Sequence, residues 1–222
     1  MKSQTILLSL VALFFSCSAT AQFSFGLKGG YHTAWQYYGD DFEGNGNGNS
    51  LKIKGFSTSL LAYYQFSQHF SAGMEPGYIR RGAACEPGFF INNPYLNAEA
   101  TIYANYLTAP LFLRFQKSVF KNQLIIMAKC GGGPSYLLDG YRELMLEIDP
   151  SNTQVQDIDF DQEPQLNRWD FGLNAGVGLG IPIGPGQLQL EYEYFHSLQD
   201  MNEQLTSKNR NAGFALGFLI RI

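Results

Sequence analysis

Residues 168–181 alternate strictly between large apolar side chains and small or polar ones. Trp169, Phe171, Leu173, Ala175, Val177, Leu179 and Ile181 share one face of an extended chain, and Asp170, Gly172, Asn174, Gly176, Gly178 and Gly180 share the other. A period of two is the signature of a strand with one face against an apolar medium. The chain repeats it at its end, where Ala212, Phe214, Leu216, Phe218, Ile220 and Ile222 oppose Asn211, Gly213, Ala215, Gly217, Leu219 and Arg221. It appears again where Phe23, Phe25, Leu27, Tyr31 and Trp35 oppose Ser24, Gly26, Lys28, Gly30 and His32. Eight segments carry the pattern, over 23–37, 52–66, 69–82, 101–116, 122–136, 168–181, 187–197 and 210–222.

Soluble sandwiches alternate as well, so the connections discriminate. They run long, short, long, short, long, short, long, over 38–51, 67–68, 83–100, 117–121, 137–167, 182–186 and 198–209. Outer-membrane barrels have this asymmetry, with tight periplasmic turns, long outward loops and an even strand number. A sandwich has no reason to produce it. Strands of this length, tilted, cross the hydrocarbon layer with every backbone hydrogen bond made between neighbours. The pattern therefore predicts an all-β fold, an eight-stranded antiparallel up-and-down transmembrane β-barrel.

Residues 1–21 stand apart. Lys2 provides a positive start, Ile6 to Phe15 an apolar stretch broken only by Ser9, and Ala19-Thr20-Ala21 a small-residue cleavage pattern. This reads as a Sec-type export signal, removed to leave a barrel domain over 22–222. Of three cysteines, Cys17 would leave with the signal, and Cys85 and Cys130 are too far apart on the proposed strands to pair.

Composition agrees with this reading. Charged residues make up 15% of the chain, against roughly 25% in ordinary soluble domains. The formal charge of −4 provides no footprint for nucleic acid. An eight-stranded interior is just wide enough for its own side chains, so glycines on the inner face make room for the few long residues there. If the larger side chains meet lipid, the interior charges are Lys28, Glu75, Arg114, Lys129, Asp170, Glu191, Glu193 and Arg221, four of each sign, with Lys52, Lys54, Arg80 and Arg81 at the rim. Glu75 and Arg114, on neighbouring segments, are expected to pair.

Asn105-Tyr106-Leu107-Thr108-Ala109-Pro110-Leu111-Phe112-Leu113-Arg114-Phe115, with Thr108-Ala109 where Glu-Ile is usual, resembles a strand of the PorT-like outer-membrane β-barrel proteins of Bacteroidetes-type bacteria. Further matches are Trp169-Asp170-Phe171-Gly172-Leu173 followed by Gly176-Val177-Gly178, Gly55-Phe56 with Tyr64-Gln65-Phe66, and Gly131-Gly132-Gly133-Pro134. The resemblance implies the barrel and says little about activity. Through its name-giving member it also implies an accessory role in a secretion and gliding apparatus.

Candidate chemistry is sparse. There are three histidines, His32, His69 and His196. His196 stands beside Ser197 and Asp200, but three residue types close in sequence do not make a triad without the geometry. The longest loop is acidic, and Asp157, Asp159 and Asp161 within it offer a weak divalent contact; Gln162 and Arg168 stand where a calcium-binding hand needs Gly and Glu. The Gly-Asn repeat over 44–49 suits a flexible polar tip.

The expected function is that of a non-enzymatic integral outer-membrane barrel with a filled interior, no cofactor, and exposed loops for surface or envelope contacts. Its expected partners are outer-membrane lipid and lipopolysaccharide, the barrel-insertion machinery during biogenesis, and an envelope protein not identifiable from sequence. The alternatives are an accessory component of a secretion or gliding complex, and a secreted lipocalin-like carrier of a small ligand.

Overall fold

A computed structural model describes residues 22–38, 50–85, 98–146, 153–158, 167–201 and 207–222. The proposed export signal, the Gly-Asn repeat, Asp159 and Asp161 lie outside the described residues. Within them the chain forms eleven strands: β1 (Gln22–Tyr38), β2 (Ile53–Gln65), β3 (Phe70–Met74), β4 (Gly77–Cys85), β5 (Ala98–Thr108), β6 (Leu111–Val119), β7 (Leu124–Leu146), β8 (Thr153–Asp157), β9 (Trp169–Ile183), β10 (Gly186–Ser197) and β11 (Ser207–Arg221).

All pairings are antiparallel. The sheet closes on itself where β1 meets β11 over a ladder running from Ser24↔Arg221 to Tyr38↔Ser207, while β1 pairs β2 on its other side. β3 and β4 are two halves of one crossing interrupted at Glu75-Pro76, and β5 and β6 are two halves of another interrupted at Ala109-Pro110. Proline has no N–H to give to a ladder, so strands break there. The breaks face each other, since the Glu75 amide donates to the Pro110 carbonyl at 3.1 Å and Pro76 accepts from Leu60 at 2.8 Å. Counted as crossings, the ring has eight staves, and β8 lies outside it, paired only to β7.

The tight connections, 66–69, 120–123 and 184–185, gather at one end with the chain termini of the barrel. Gly184 takes a left-handed φ of 57° that fits a two-residue turn.

Alternation sets the faces as the sequence indicated. Outward residues of β9 run from Trp169 to Ile183, and those between Phe171 and Ile181 span about 33 Å of strand, or about 25 Å along the axis at a tilt of about 40°. Aromatic rings mark both edges of this band. At the turn end Phe23 meets Tyr64 at 5.1 Å and Phe70 meets Phe115 at 5.4 Å between centroids. At the loop end Tyr136 meets Trp169 at 5.0 Å and Phe56 meets Tyr78 at 5.6 Å. Such girdles suit the two membrane interfaces. Cys130 is unpaired and outward, on the lipid-facing side of β7.

Strand limits differ from the sequence reading mainly at the loop end. β4 reaches Cys85, β5 begins at Ala98, and β7 continues to Leu146, where it joins β8 in a hairpin from Tyr141↔Asp157 to Met145↔Thr153. Beyond the bilayer an outward residue no longer has to be apolar, so Asp139 and Glu143 extend a strand without the pattern that revealed its membrane part.

Candidate functional site

The lumen holds two layers of charge. The deeper one is built from four crossings. Lys28 of β1 pairs with Glu75, which follows β3, and with Glu193 of β10 at 2.5 Å. Lys129 of β7 lies 2.7 Å from Glu75, 2.6 Å from Glu191 and 2.7 Å from Glu193, with its ammonium 4.5 Å from the centre of the Phe112 ring. The Tyr63 hydroxyl donates to Glu75 Oε1 at 2.5 Å. Two ammonium groups thus hold three carboxylates.

Arg114 of β6 provides the third cation, and it is 1% exposed. Contrary to the expected pairing with Glu75, its Nη2 donates to Gln189 Oε1 at 2.9 Å and lies 3.1 Å from Met127 Sδ. Its guanidinium sits 5.2 Å from the Tyr63 ring, so the two charges connect only through that tyrosine. The reason is the break at Glu75-Pro76: Arg114 registers with Ser71 of β3, four positions from Glu75.

The second layer lies toward the loops. Arg81 of β4 donates to Asp170 of β9 at 3.0 Å and to Ser135 of β7 at 3.3 Å. Its guanidinium lies between the rings of Phe195, 3.7 Å from the centroid, and Tyr106, 5.0 Å from the centroid. Asp170 accepts from Ser197 at 2.5 Å and from Asn209 at 3.3 Å, and Asn209 also donates to the Tyr106 hydroxyl. Every one of these side chains is buried, and together they fill the cross-section.

Two sequence assignments exchange places. Arg81, expected at the rim, is 2% exposed in the lumen, because β4 continues past it. Arg221, expected inside, is exposed at the turn end, where it lines a polar opening of about 410 Å³ with Gln65 and Gln116. Its inward position lies at the last residue of β11, below the packed lumen. The lumen set still has four charges of each sign, with Arg81 in place of Arg221 and Glu193 only partly buried. A lone buried charge is costly and a neutral, mutually bonded set is tolerated.

Sequence reasoning missed Tyr63, Tyr106, Gln189, Ser197 and Asn209. Parity alone places them inward, but two are large aromatics, which a rule sending bulky groups to lipid misassigns.

The histidines are dispersed. His32 is buried, with Nε2 2.8 Å from the Arg80 carbonyl oxygen, and the His69 ring stacks on Phe115. His196 points outward and accepts from Arg210, while Ser197 points inward to Asp170. Adjacent strand residues face opposite sides, so this histidine and serine do not meet. Asp157 is exposed at the end of β8, and among the described residues no group of three His, Cys, Asp or Glu side chains is placed to hold a metal.

Comparisons with known proteins give three similar solved structures. Neisserial surface protein A is 12% identical over 89% of this chain and 97% of its own, with a TM-score of 0.46. The outer membrane protein OprG of Pseudomonas aeruginosa is 10% identical over 90% and 95%, with a TM-score of 0.44. The attachment invasion locus protein Ail of Yersinia pestis is 14% identical over 90% and 99%, with a TM-score of 0.41. No curated protein matches the sequence. A family model described as outer membrane protein beta-barrel domain matches residues 15–203. With its closed eight-stave ring and apolar outer band, the chain belongs to the outer membrane protein beta-barrel domain family and resides in the cell outer membrane.

Proposed function

We propose that this protein is a sealed, non-enzymatic barrel that works through its exposed surfaces, neither passing solutes nor turning over a substrate. The carrying observation is the layer in which Arg81, Asp170, Asn209, Tyr106 and Phe195 fill the lumen. That packed layer weighs against the lipocalin-like alternative, which needs an open ligand cavity in the lumen. The separation of His196 from Ser197 weighs against hydrolysis at the loop end.

Within the family, the resemblance of the Asn105–Phe115 stretch to a PorT-like strand supports a finer reading. On that reading it serves as an accessory component of an envelope complex, with the outward loops or the turn-end mouth as its contact surfaces. Lipopolysaccharide around the loops and the insertion machinery during biogenesis complete its partners.

The test is purification of the native protein from outer membranes under mild detergent, with peptidase and phospholipase assays on the same preparation. A stoichiometric envelope partner and no turnover is the expected result. Turnover abolished by His196→Ala would overturn the reading.

A further inference from the structure

The outer face of the barrel is electrostatically lopsided at the loop end. On β10, β11, β1, β2 and β4, which are consecutive around the ring, the outward charged residues near the loops are Lys208, Arg210, Lys54 and Arg80, joined by Lys52 just before β2. Among the described residues no carboxylate lies on the outer face of these five strands. The strands beyond, β7 and β8, carry Asp139, Glu143 and Asp157. A chain of net charge −4 thus presents five cations on one flank of its loop end.

The flank is also ordered. Ladder register aligns His196 with Arg210 and Arg210 with Trp35, and Lys52 lies over the same indole at 5.0 Å. Trp35 stands 6.4 Å from Tyr194, and Arg210 lies 4.3 Å from the Tyr37 ring, so the cations rest on the aromatic edge of the membrane band. Arg210 Nε donates to His196 Nδ1 at 3.1 Å. That acceptor role leaves the histidine proton on Nε2, a further outward donor, and leaves the terminal nitrogens of Arg210 for another acceptor. Rings fix Lys52 and Arg210, and the histidine beside Arg210 is itself a donor, an arrangement suited to an oxyanion.

We infer that this flank binds the phosphate of a phosphorylated glycolipid in the outer leaflet. Location selects the source. The side chains point away from the barrel axis at the height where apolar band gives way to loops, so an acceptor reaching them comes from the surrounding leaflet. A guanidinium on β11 and two ammonium groups at the start of β2, on either side of Trp35 of β1, can share one phosphate or two adjacent ones. The inference rests on the membrane placement of the barrel and deepens its surface role.

The test uses the full-length mature chain refolded into phosphatidylcholine vesicles containing a bis-phosphorylated glycolipid or the same glycolipid with its phosphates removed. The glycolipid retained per barrel after mild detergent extraction is counted by native mass spectrometry. Each Lys or Arg near a lipid surface strengthens attraction to anionic lipid about fivefold, so the triple variant Lys52→Gln, Lys54→Gln, Arg210→Gln is expected to retain roughly a hundredfold less of the phosphorylated form. Lys117→Gln, an outward cation at the turn end, should leave retention unchanged. Raising the salt to about 1 M, where screening acts within about 3 Å, should release the lipid from the wild type.

Equal retention of phosphorylated and dephosphorylated glycolipid, or less than a threefold loss in the triple variant, would overturn the proposal. Heat-modifiable gel mobility reports folding in every arm. Loss of that mobility in the wild type would instead count against the membrane barrel itself, and single variants of Lys54 and Arg210 replace the triple one should it fail to fold.

Discussion

Arg81 and Asp170 form an ion pair of 3.0 Å across the lumen, joining crossings β4 and β9 that β5 and β7 separate in the ring. The bond ties distant parts of the barrel wall together independently of the backbone ladders. Its surroundings are shared unevenly: Asp170 has further donors in Ser197 and Asn209, whereas Arg81 relies on Asp170, Ser135 and two rings.

Removing one partner from a buried pair costs roughly 3–5 kcal/mol, because the other charge stays behind without its partner. Arg81→Leu should fall at the lower end, near 3 kcal/mol, since Ser197 and Asn209 still solvate Asp170. Asp170→Leu should cost more, and the double change less than either single one. Urea unfolding from lipid vesicles measures all three. Near-zero losses for both single variants would place the pair in water.

The deeper layer makes a different prediction. Lys129 bonds Glu75 directly, whereas Arg114 reaches it only through Tyr63. Double-mutant cycles should therefore give a coupling of about 1–3 kcal/mol for Glu75 with Lys129 and a clearly smaller one for Glu75 with Arg114. The opposite order would restore the pairing expected from sequence and require a different register for β3 and β6.

Packing adds a third. A Cβ on Gly172 would stand 2.2 Å from Cε2 of Phe195 and 2.8 Å from the His196 carbonyl oxygen. The missing side chain is what lets the Phe195 ring lie against Arg81. Gly172→Ala should destabilise the barrel by about 1–3 kcal/mol through overpacking, and Phe195→Leu in the same chain should recover part of the loss. An alanine variant as stable as the wild type would mean that β9 does not turn this face inward.

The membrane part of the fold was legible because lipid imposes a strict rule on it. Each outward position from Phe171 to Ile181 has to be apolar, and the rule leaves a period of two that survives in the letters. Outside the bilayer the rule lapses, which is why β7 beyond Tyr136 and the whole of β8 read as loop. The rim was the weak point for the same reason. Alternation states that Arg81 and Arg221 face inward, but not how far the wall rises beyond each, and that height decides that one is sealed in and the other exposed. Which carboxylate meets which ammonium was beyond reach, because Lys28, Glu75, Lys129 and Glu191 come from four crossings brought to one level by the stagger of the barrel. Tyr63 and Tyr106 were hidden by their size.

The closed lumen is tested most directly by single-channel recording of the purified barrel in planar bilayers. With Arg81, Asp170 and Asn209 joined across one level and Lys28, Lys129 and three glutamates across another, no stable conductance steps are expected from the wild type. Large, long-lived steps from protein shown to be folded by gel mobility would contradict a sealed interior.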